Sequence, residues 1–140
     1  MRIRVLSDLH LEFQGWMPPA ATADVVVLAG DVHVGADGLD WAQRQFAGAP
    51  VVYVPGNHEY YGSDLSEMLT ELRVAARGRG IHLLDGDEII IDGVRFLGAT
   101  LWTDFELYGP EPHEVARAMA AAQQGMRDYR VIRQRGSGLS

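Results

Sequence analysis

Three short apolar runs, each ending just before a polar cluster, constrain this chain more than any other feature of its sequence. The runs occupy residues 3–6, 25–29 and 51–54. Each is short and rich in β-branched residues, and glycine or proline bounds the second and third runs. Such runs favour strands that are buried on both faces of a sheet.

Helical patterns follow the second and third runs. Residues 37–47 carry Leu39, Ala42 and Phe46 at helical spacing, and Ser63 is a candidate N-cap for a second helix. The apolar stripe of that second helix consists of Leu65, Met68, Leu69, Leu72 and Ala76. An alternation of strands and helices predicts that the strands are parallel.

The pattern then changes to strands separated by turns, at residues 81–84, 88–91 and 94–99. The pair Asp92-Gly93 between the last two is a type I′ hairpin signal. We therefore expect an antiparallel segment after the parallel one.

A final helix is predicted from residue 111 to residue 129. Its apolar positions recur at spacings of three and four, namely Val115, Met119, Ala122, Met126 and Tyr129. No linker or internal repeat divides the sequence. The fold class is therefore α/β, with a single domain over residues 1–140.

Composition excludes several classes of protein. All 12 basic residues are arginine, and 19 acidic residues give a net charge of -7, which argues against nucleic-acid binding. The chain has no cysteine, so disulfides, cysteine-bound zinc and thiol catalysis are excluded, and oxygen and imidazole remain as metal ligands. Asp8 and His10 interrupt the apolar start, and no apolar stretch is long enough for a membrane span. We predict a cytoplasmic protein that has no membrane partner.

The three polar clusters are predicted to converge. Asp8 and His10 follow the first run, Asp31 follows the second, and residues 56–59, Gly-Asn-His-Glu, follow the third. The carboxyl ends of parallel strands open at one edge of the sheet, so clusters far apart in sequence meet there. Carboxylate and imidazole together suit divalent manganese, iron or zinc.

Each cluster alone has an ordinary structural explanation. An Asp-x-His pair is common by chance, Gly-Asp after a strand is usually a turn, and glycine and asparagine tolerate the backbone of a loop. Turn chemistry does not require histidine in two of the clusters, however. The three clusters together therefore favour a functional site.

These clusters resemble the first three signature blocks of the calcineurin-like metallophosphoesterases, namely Asp8-x-His10, Gly30-Asp31 and the tetrapeptide 56–59. Residues 94–104 and 126–130 also resemble stretches of bacterial members. The resemblance implies an α/β/β/α sandwich, of which this chain supplies the first sheet and the start of the second. An apolar sheet face is then expected to be uncovered, and it would suit self-association or a partner chain.

The resemblance also implies roles for single residues. Asp8 and His10 would bind one metal ion, Asp31 would bridge two ions, and Asn57 would bind the second. His58 would be a catalytic histidine that binds no metal and acts at the leaving group or the phosphoryl oxygens of a phosphoester substrate. In that mechanism the two ions activate a water that attacks phosphorus.

The family's later blocks, an isolated histidine and Gly-His-x-His, are absent from the 140 residues, and no Gly-His pair occurs. His33 is a candidate to line the site, whereas His82 and His113 do not lie where the missing ligands belong. We expect at most one tightly bound metal in this chain.

The leading hypothesis is a phosphomonoesterase or phosphodiesterase with an incomplete site, and the alternative is a non-catalytic scaffold or metal-binding module. Glu59 is a candidate to orient a neighbouring side chain.

Overall fold

The computed structural model describes residues 1–139, and its centre is a four-stranded parallel sheet in the order β1-β2-β3-β4. The strands are β1 (Ile3–Leu6), β2 (Val25–Ala29), β3 (Val51–Val54) and β4 (His82–Leu83). All three neighbouring pairs run parallel. The parallel arrangement predicted for the first three runs is therefore confirmed.

The fourth strand differs from the sequence prediction, which grouped residues 81–84 with the strands that follow. His82 and Leu83 instead pair in parallel with Val52 and Tyr53 of β3. The helix between β3 and β4 returns the chain to the starting edge of the sheet, so β4 runs in the same direction as β3.

Two helices pack on one face of the sheet, α1 (Asp37–Gln45) and α2 (Leu65–Gly78). Asp64, and not the predicted Ser63, is the N-cap of α2, because its carboxylate accepts a hydrogen bond from the Ser66 amide at 3.1 Å. The main core lies between these helices and the sheet. Its fully buried side chains include Leu28, Tyr53, Leu39 and Leu72.

A hairpin of β5 (Asp87–Ile91) and β6 (Val94–Gly98) packs on the opposite face. Its strands are antiparallel, and its turn residues Asp92 and Gly93 have φ values of 48° and 76°, as the hairpin signal predicted. Three hairpin side chains pack on the sheet, namely Ile89, Ile91 and Phe96. They contact a cluster formed by Val25 of β2, Val52 of β3 and Leu84, which follows β4. The fold class predicted from the sequence is confirmed, since helices, sheet and hairpin form successive layers.

The hairpin does not cover β1. Ile3 lies beside Val25 and Val5 lies beside Val27 in the parallel register, so all four side chains belong to one face. Val25 is fully buried, but Ile3 is 45% exposed and Val5 is 61% exposed. We call the part of this face formed by Ile3, Val5, Val27 and Ala29 the open sheet face.

The remaining chain forms α3 (Pro112–Gly125), α4 (Asp128–Val131) and a small antiparallel pair, β7 (Arg133–Gln134) and β8 (Ser137–Gly138). The single helix predicted over residues 111–129 is therefore two helices. Met126 leaves the helical conformation with a ψ of 135°. Gly125 weakens the helix at this point, because glycine is a poor helix former. Among residues 1–139, no helix combines the length and apolar character needed to cross a membrane.

Candidate metal centre

Asp8, His10 and Asp31 meet at the carboxyl edge of the sheet, where the sequence predicted them. One ligand atom from each lies within 4.8 Å of the others. Backbone hydrogen bonds extend the pairing of β1 and β2 beyond the strands, since the Asp8 amide donates to the Gly30 carbonyl at 3.1 Å. The His10 amide donates to the Asp31 carbonyl at 2.9 Å. The two loops are thus joined where they present these side chains.

The same three residues have a left-handed backbone. Their φ values are 54° for Asp8, 46° for His10 and 54° for Asp31. Such a conformation costs a residue other than glycine about 1–3 kcal/mol, and it persists only where surrounding contacts impose it. Three of the six non-glycine residues with positive φ among residues 1–139 are thus the three that converge here, and strained backbone of this kind is frequent at binding sites.

Glu59 ties the loop after β2 to the loop after β3. Its side chain has no solvent exposure. One carboxylate oxygen accepts from the Val32 amide at 2.9 Å and from the Tyr53 hydroxyl at 2.7 Å. The other accepts from the Asp31 amide at 3.1 Å and from the Gly56 amide at 2.7 Å. Burial, followed by the negative charge of Glu59, raises the pKa of Tyr53 well above its usual value, so Tyr53 stays a proton donor.

Gly56 allows the loop after β3 to lie directly against Asp31. A Cβ atom at position 56 would lie 2.7 Å from the Asp31 amide nitrogen and would collide with the Asp31 carboxylate. That carboxylate also accepts a hydrogen bond from the His58 amide at 3.0 Å. The glycine is therefore required by close packing and not by an unusual φ.

Asn57 lies beside this group with its amide held in one orientation. Its nitrogen donates to an Asp128 carboxylate oxygen at 2.9 Å and to the Tyr61 hydroxyl at 3.2 Å. Tyr61 donates to the same Asp128 oxygen at 2.7 Å, and burial together with Asp128 raises the pKa of Tyr61 to about 12. Both contacts use the amide nitrogen, so the amide oxygen is the atom that Asn57 has for a metal ion.

His58 lies next to His10 and contacts a carboxylate that the sequence analysis did not select. Its Nδ1 is 2.6 Å from the Glu12 Oε1 atom and 3.3 Å from the His10 Nδ1 atom. Burial acts to raise the pKa of Glu12, but a backbone hydrogen bond and the two imidazoles outweigh it, so the pKa falls below its usual value. The Asp8-x-His10-x-Glu12 alternation is the sequence signal that could have identified Glu12.

Asp128 is the other functional residue that sequence reasoning missed. It belongs to the stretch 126–130, which resembled bacterial family members, but nothing in that stretch specified a contact with Asn57. It is buried, and it reaches Asn57 from 71 positions along the chain. Only the folded structure reveals a pair at that separation.

The remaining histidines lie elsewhere. His33 follows Asp31 closely, but its Nδ1 bonds to the Val34 carbonyl at 3.1 Å, and it lines a separate cleft of about 540 Å³ with Trp16 and Trp41. His82 lies in β4 and His113 in α3. Within residues 1–139, the groups able to hold a metal ion include none of these three.

An open cleft of about 1000 Å³ begins at the metal centre and runs between the sheet and the hairpin. Asp8, Asp31 and Asn57 line its sheet side, and residues 97–101 line its other side. The site is therefore accessible to a ligand much larger than a metal ion.

The residues present fit a divalent cation. Two carboxylates and an imidazole held within 4.8 Å bring like charges together, and a cation between them would offset that repulsion. Oxygen and nitrogen donors in this ratio suit manganese, iron or zinc.

Comparison with known proteins agrees with this geometry. The family model described as calcineurin-like phosphoesterase matches residues 1–116, which confirms the family predicted from the motifs. No curated protein sequence matches the chain.

A crystal structure of phosphopantetheinyl hydrolase from Mycobacterium tuberculosis is similar in fold, with a TM-score of 0.60 and 21% sequence identity. The alignment covers 88% of this chain and 50% of that protein. The chain thus spans about half the length of this structural neighbour.

Replacing Glu59 with alanine is expected to destabilise the fold strongly. The change leaves the amides of Asp31, Val32 and Gly56, which are partly or fully buried, and the Tyr53 hydroxyl without this acceptor. Each unsatisfied donor costs about 1–3 kcal/mol, so we expect a loss of at least about 3 kcal/mol in the free energy of unfolding. Urea denaturation measures it. The control is Glu71→Ala on the exposed side of α2, expected within about 0.5 kcal/mol of the wild type. Equal effects of the two substitutions would contradict the role of Glu59.

Replacing Gly56 with alanine is expected to weaken metal binding by displacing Asp31. We expect the affinity for Mn²⁺ to fall about 10–100-fold, the scale typical of disturbed ligand orientation. Calorimetric titration measures it, and circular dichroism checks the fold. Gly48→Ala is the matched control, because its Cβ would meet open space. Unchanged affinity in the folded Gly56→Ala variant would show that the close contact does not position Asp31.

Proposed function

Because the chain belongs to the calcineurin-like phosphoesterase family, a family of metal-dependent hydrolases, we propose that it carries the first half of a two-metal phosphoesterase site. The observation that carries this proposal is the convergence of Asp8, His10 and Asp31 beside His58, at the mouth of an open cleft. The substrate class is a phosphomonoester or phosphodiester.

We assign the first metal position to Asp8, His10 and Asp31. The second position would use Asp31 as a bridge together with the Asn57 amide oxygen. Bound divalent ions at such sites lower the pKa of a water molecule and offset charge on the phosphoryl oxygens. Manganese, iron and zinc each suit the donors.

His58 would act on the substrate and not on the metals. A protonated imidazole can donate a hydrogen bond to a charged phosphoryl oxygen, or a proton to the leaving oxygen as its bond to phosphorus breaks. Two features support this role. The ring is only 14% exposed, and Tyr61 stacks on it with ring centroids 4.3 Å apart, so its position is well defined.

The second function that an observation favours is a metal-binding scaffold without catalysis. The second metal position has only Asp31 and Asn57 within the described residues 1–139, and Asn57 is a neutral ligand. A position with one carboxylate and one amide binds a divalent ion weakly. The two functions differ in hydrolysis, which only the first performs.

We also propose that the open sheet face binds another polypeptide, either a second copy of this chain or a partner. The exposure of Ile3 and Val5 supports this, because a contiguous apolar surface is costly in water. The negative net charge argues against nucleic acid as a partner. We also propose a cytoplasmic location and no membrane partner.

Asp31→Ala and His58→Ala are expected to separate metal binding from turnover in a protein carrying the complete family domain. Asp31→Ala should lose both metal and hydrolysis. His58→Ala should keep its metal content and lose about 10²–10⁴-fold in turnover, the scale of a general acid. Metal analysis and hydrolysis of a generic phosphodiester measure the two effects. Asp37→Ala and His113→Ala are exposed controls. Full metal content in Asp31→Ala, or metal loss in His58→Ala, would refute the respective assignment.

The 140-residue chain by itself is expected to bind at most one Mn²⁺ tightly and to show little hydrolysis. The first metal position has three ligands, Asp8, His10 and Asp31. The second has only two, the shared Asp31 and the neutral amide of Asn57. A single ion cannot hold both the attacking and the leaving oxygens. Calorimetric titration of the metal-free chain gives the number of sites, and His10→Ala should abolish the tight one while His82→Ala preserves it. Two tight sites with robust turnover would contradict the ligand assignment.

A further inference from the structure

We propose that Glu12 is a positioning residue that keeps a proton on Nδ1 of His58 and so leaves Nε2 as the nitrogen that faces the substrate. The proposal rests on the proposed function only where it assigns His58 Nε2 to the substrate. The proton position itself follows from the contacts of the two side chains.

The distance between the two groups is the first argument. Glu12 Oε1 lies 2.6 Å from His58 Nδ1, which is short for a hydrogen bond between nitrogen and oxygen. A carboxylate is an acceptor only, so the imidazole nitrogen must be the donor. A neutral imidazole that donates through Nδ1 has its lone pair on Nε2.

The second argument is the position of His10. Its Nδ1 is 3.6 Å from the same Glu12 oxygen and 3.3 Å from His58 Nδ1. Both imidazoles thus turn Nδ1 towards one carboxylate. The 3.6 Å separation is too long for a hydrogen bond, so Glu12 accepts from His58 Nδ1 and not from His10. His58 is therefore the histidine whose tautomer Glu12 sets.

The third argument is that both partners are confined. The Glu12 side chain is 13% exposed, and its second carboxylate oxygen is buried without a hydrogen-bond partner among residues 1–139. The His58 ring stacks on Tyr61 at an interplanar angle of 27°, and the edge of His10 packs against it at 63°. A half-turn of the His58 ring would keep the stacking but would replace Nδ1 with a carbon atom at the Glu12 oxygen, so the Glu12 contact decides which nitrogen is free.

The tautomer matters for the proposed hydrolysis. A proton on Nε2 of the imidazolium moves to the leaving oxygen, which takes the electron pair of the breaking bond to phosphorus. The attacking water forms the new bond to phosphorus, and the proton it loses restores the imidazolium. Throughout, the Nδ1 proton stays on the hydrogen bond to Glu12, which stabilises the charged ring.

Nitrogen-detected histidine NMR of the 140-residue chain, with a chelator present, tests the proton position directly. Measured well above the ordinary histidine pKa of about 6.5, each neutral ring reports its own tautomer. We expect His58 to carry its proton on Nδ1. A proton on Nε2 in the wild-type chain would overturn the proposal without any substitution.

Substitutions then test whether Glu12 is the cause. Glu12→Leu removes the acceptor and should return His58 to the Nε2 tautomer that imidazoles favour in water. Glu12→Gln keeps an acceptor oxygen and should retain the Nδ1 proton. Asp37→Asn is the matched control, because Asp37 faces His33 Nδ1 at 3.9 Å and should leave His58 unchanged. An unchanged His58 tautomer in Glu12→Leu would overturn the proposal.

Metal content, and the dependence of turnover on the leaving group, distinguish a positioning role of Glu12 from a role as a metal ligand. In a hydrolytically active protein carrying the complete domain, Glu12→Leu should lose about 10–100-fold with an alkyl leaving group and much less with p-nitrophenolate, which needs no proton. Loss of a tightly bound Mn²⁺ in Glu12→Leu would overturn the proposal, because His10, Glu12 and His58 would then be metal ligands. Absence of any hydrolysis by the wild type would refute the proposed function and leave the NMR result to decide the tautomer.

Discussion

The buried carboxylate of Glu59 is the interaction on which the rest of the site depends. It accepts four hydrogen bonds, three of them from backbone amides in the two loops that carry the metal centre. A buried charge is costly unless its lone pairs are used, and here each oxygen receives two donors. The loops after β2 and β3 are therefore fixed to each other by a group that touches neither metal nor substrate.

This connection allows the strained backbone to persist. Asp8, His10 and Asp31 hold positive φ values at a cost of about 1–3 kcal/mol each, a sum comparable with the net stability of a small domain. Glu59 offsets the strain at Asp31 by binding its amide, and the pairing of β1 with β2 carries the constraint to Asp8 and His10. Ligand atoms that would otherwise separate are thus held together before any ion binds.

The sequence predicted what depends on short-range pattern and missed what depends on distant contacts. The buried runs, the hairpin turn at Asp92-Gly93 and the convergence of Asp8, His10 and Asp31 follow from local periodicity and the geometry of parallel sheets. The Asn57–Asp128 contact spans 71 positions, and no local pattern encodes it. The N-cap was misplaced by one residue because Ser63 and Asp64 are both good caps, and only packing chooses between them. The direction of β4 likewise depends on how α2 crosses the sheet, which local propensity does not specify.

The two proposed metal positions differ in what holds their ligands. The first would be built from loops that hydrogen bonds within residues 1–139 hold together. The second would face the cleft between sheet and hairpin, whose lining includes Leu97 and Leu101, which are 69% and 94% exposed. The open sheet face adjoins the same cleft through Val27. A polypeptide segment that covered this apolar surface would also lie within reach of Asp31 and Asn57. Asp31 and Asn57 line this cleft together with Val27, so the exposed apolar surface borders the proposed second metal position.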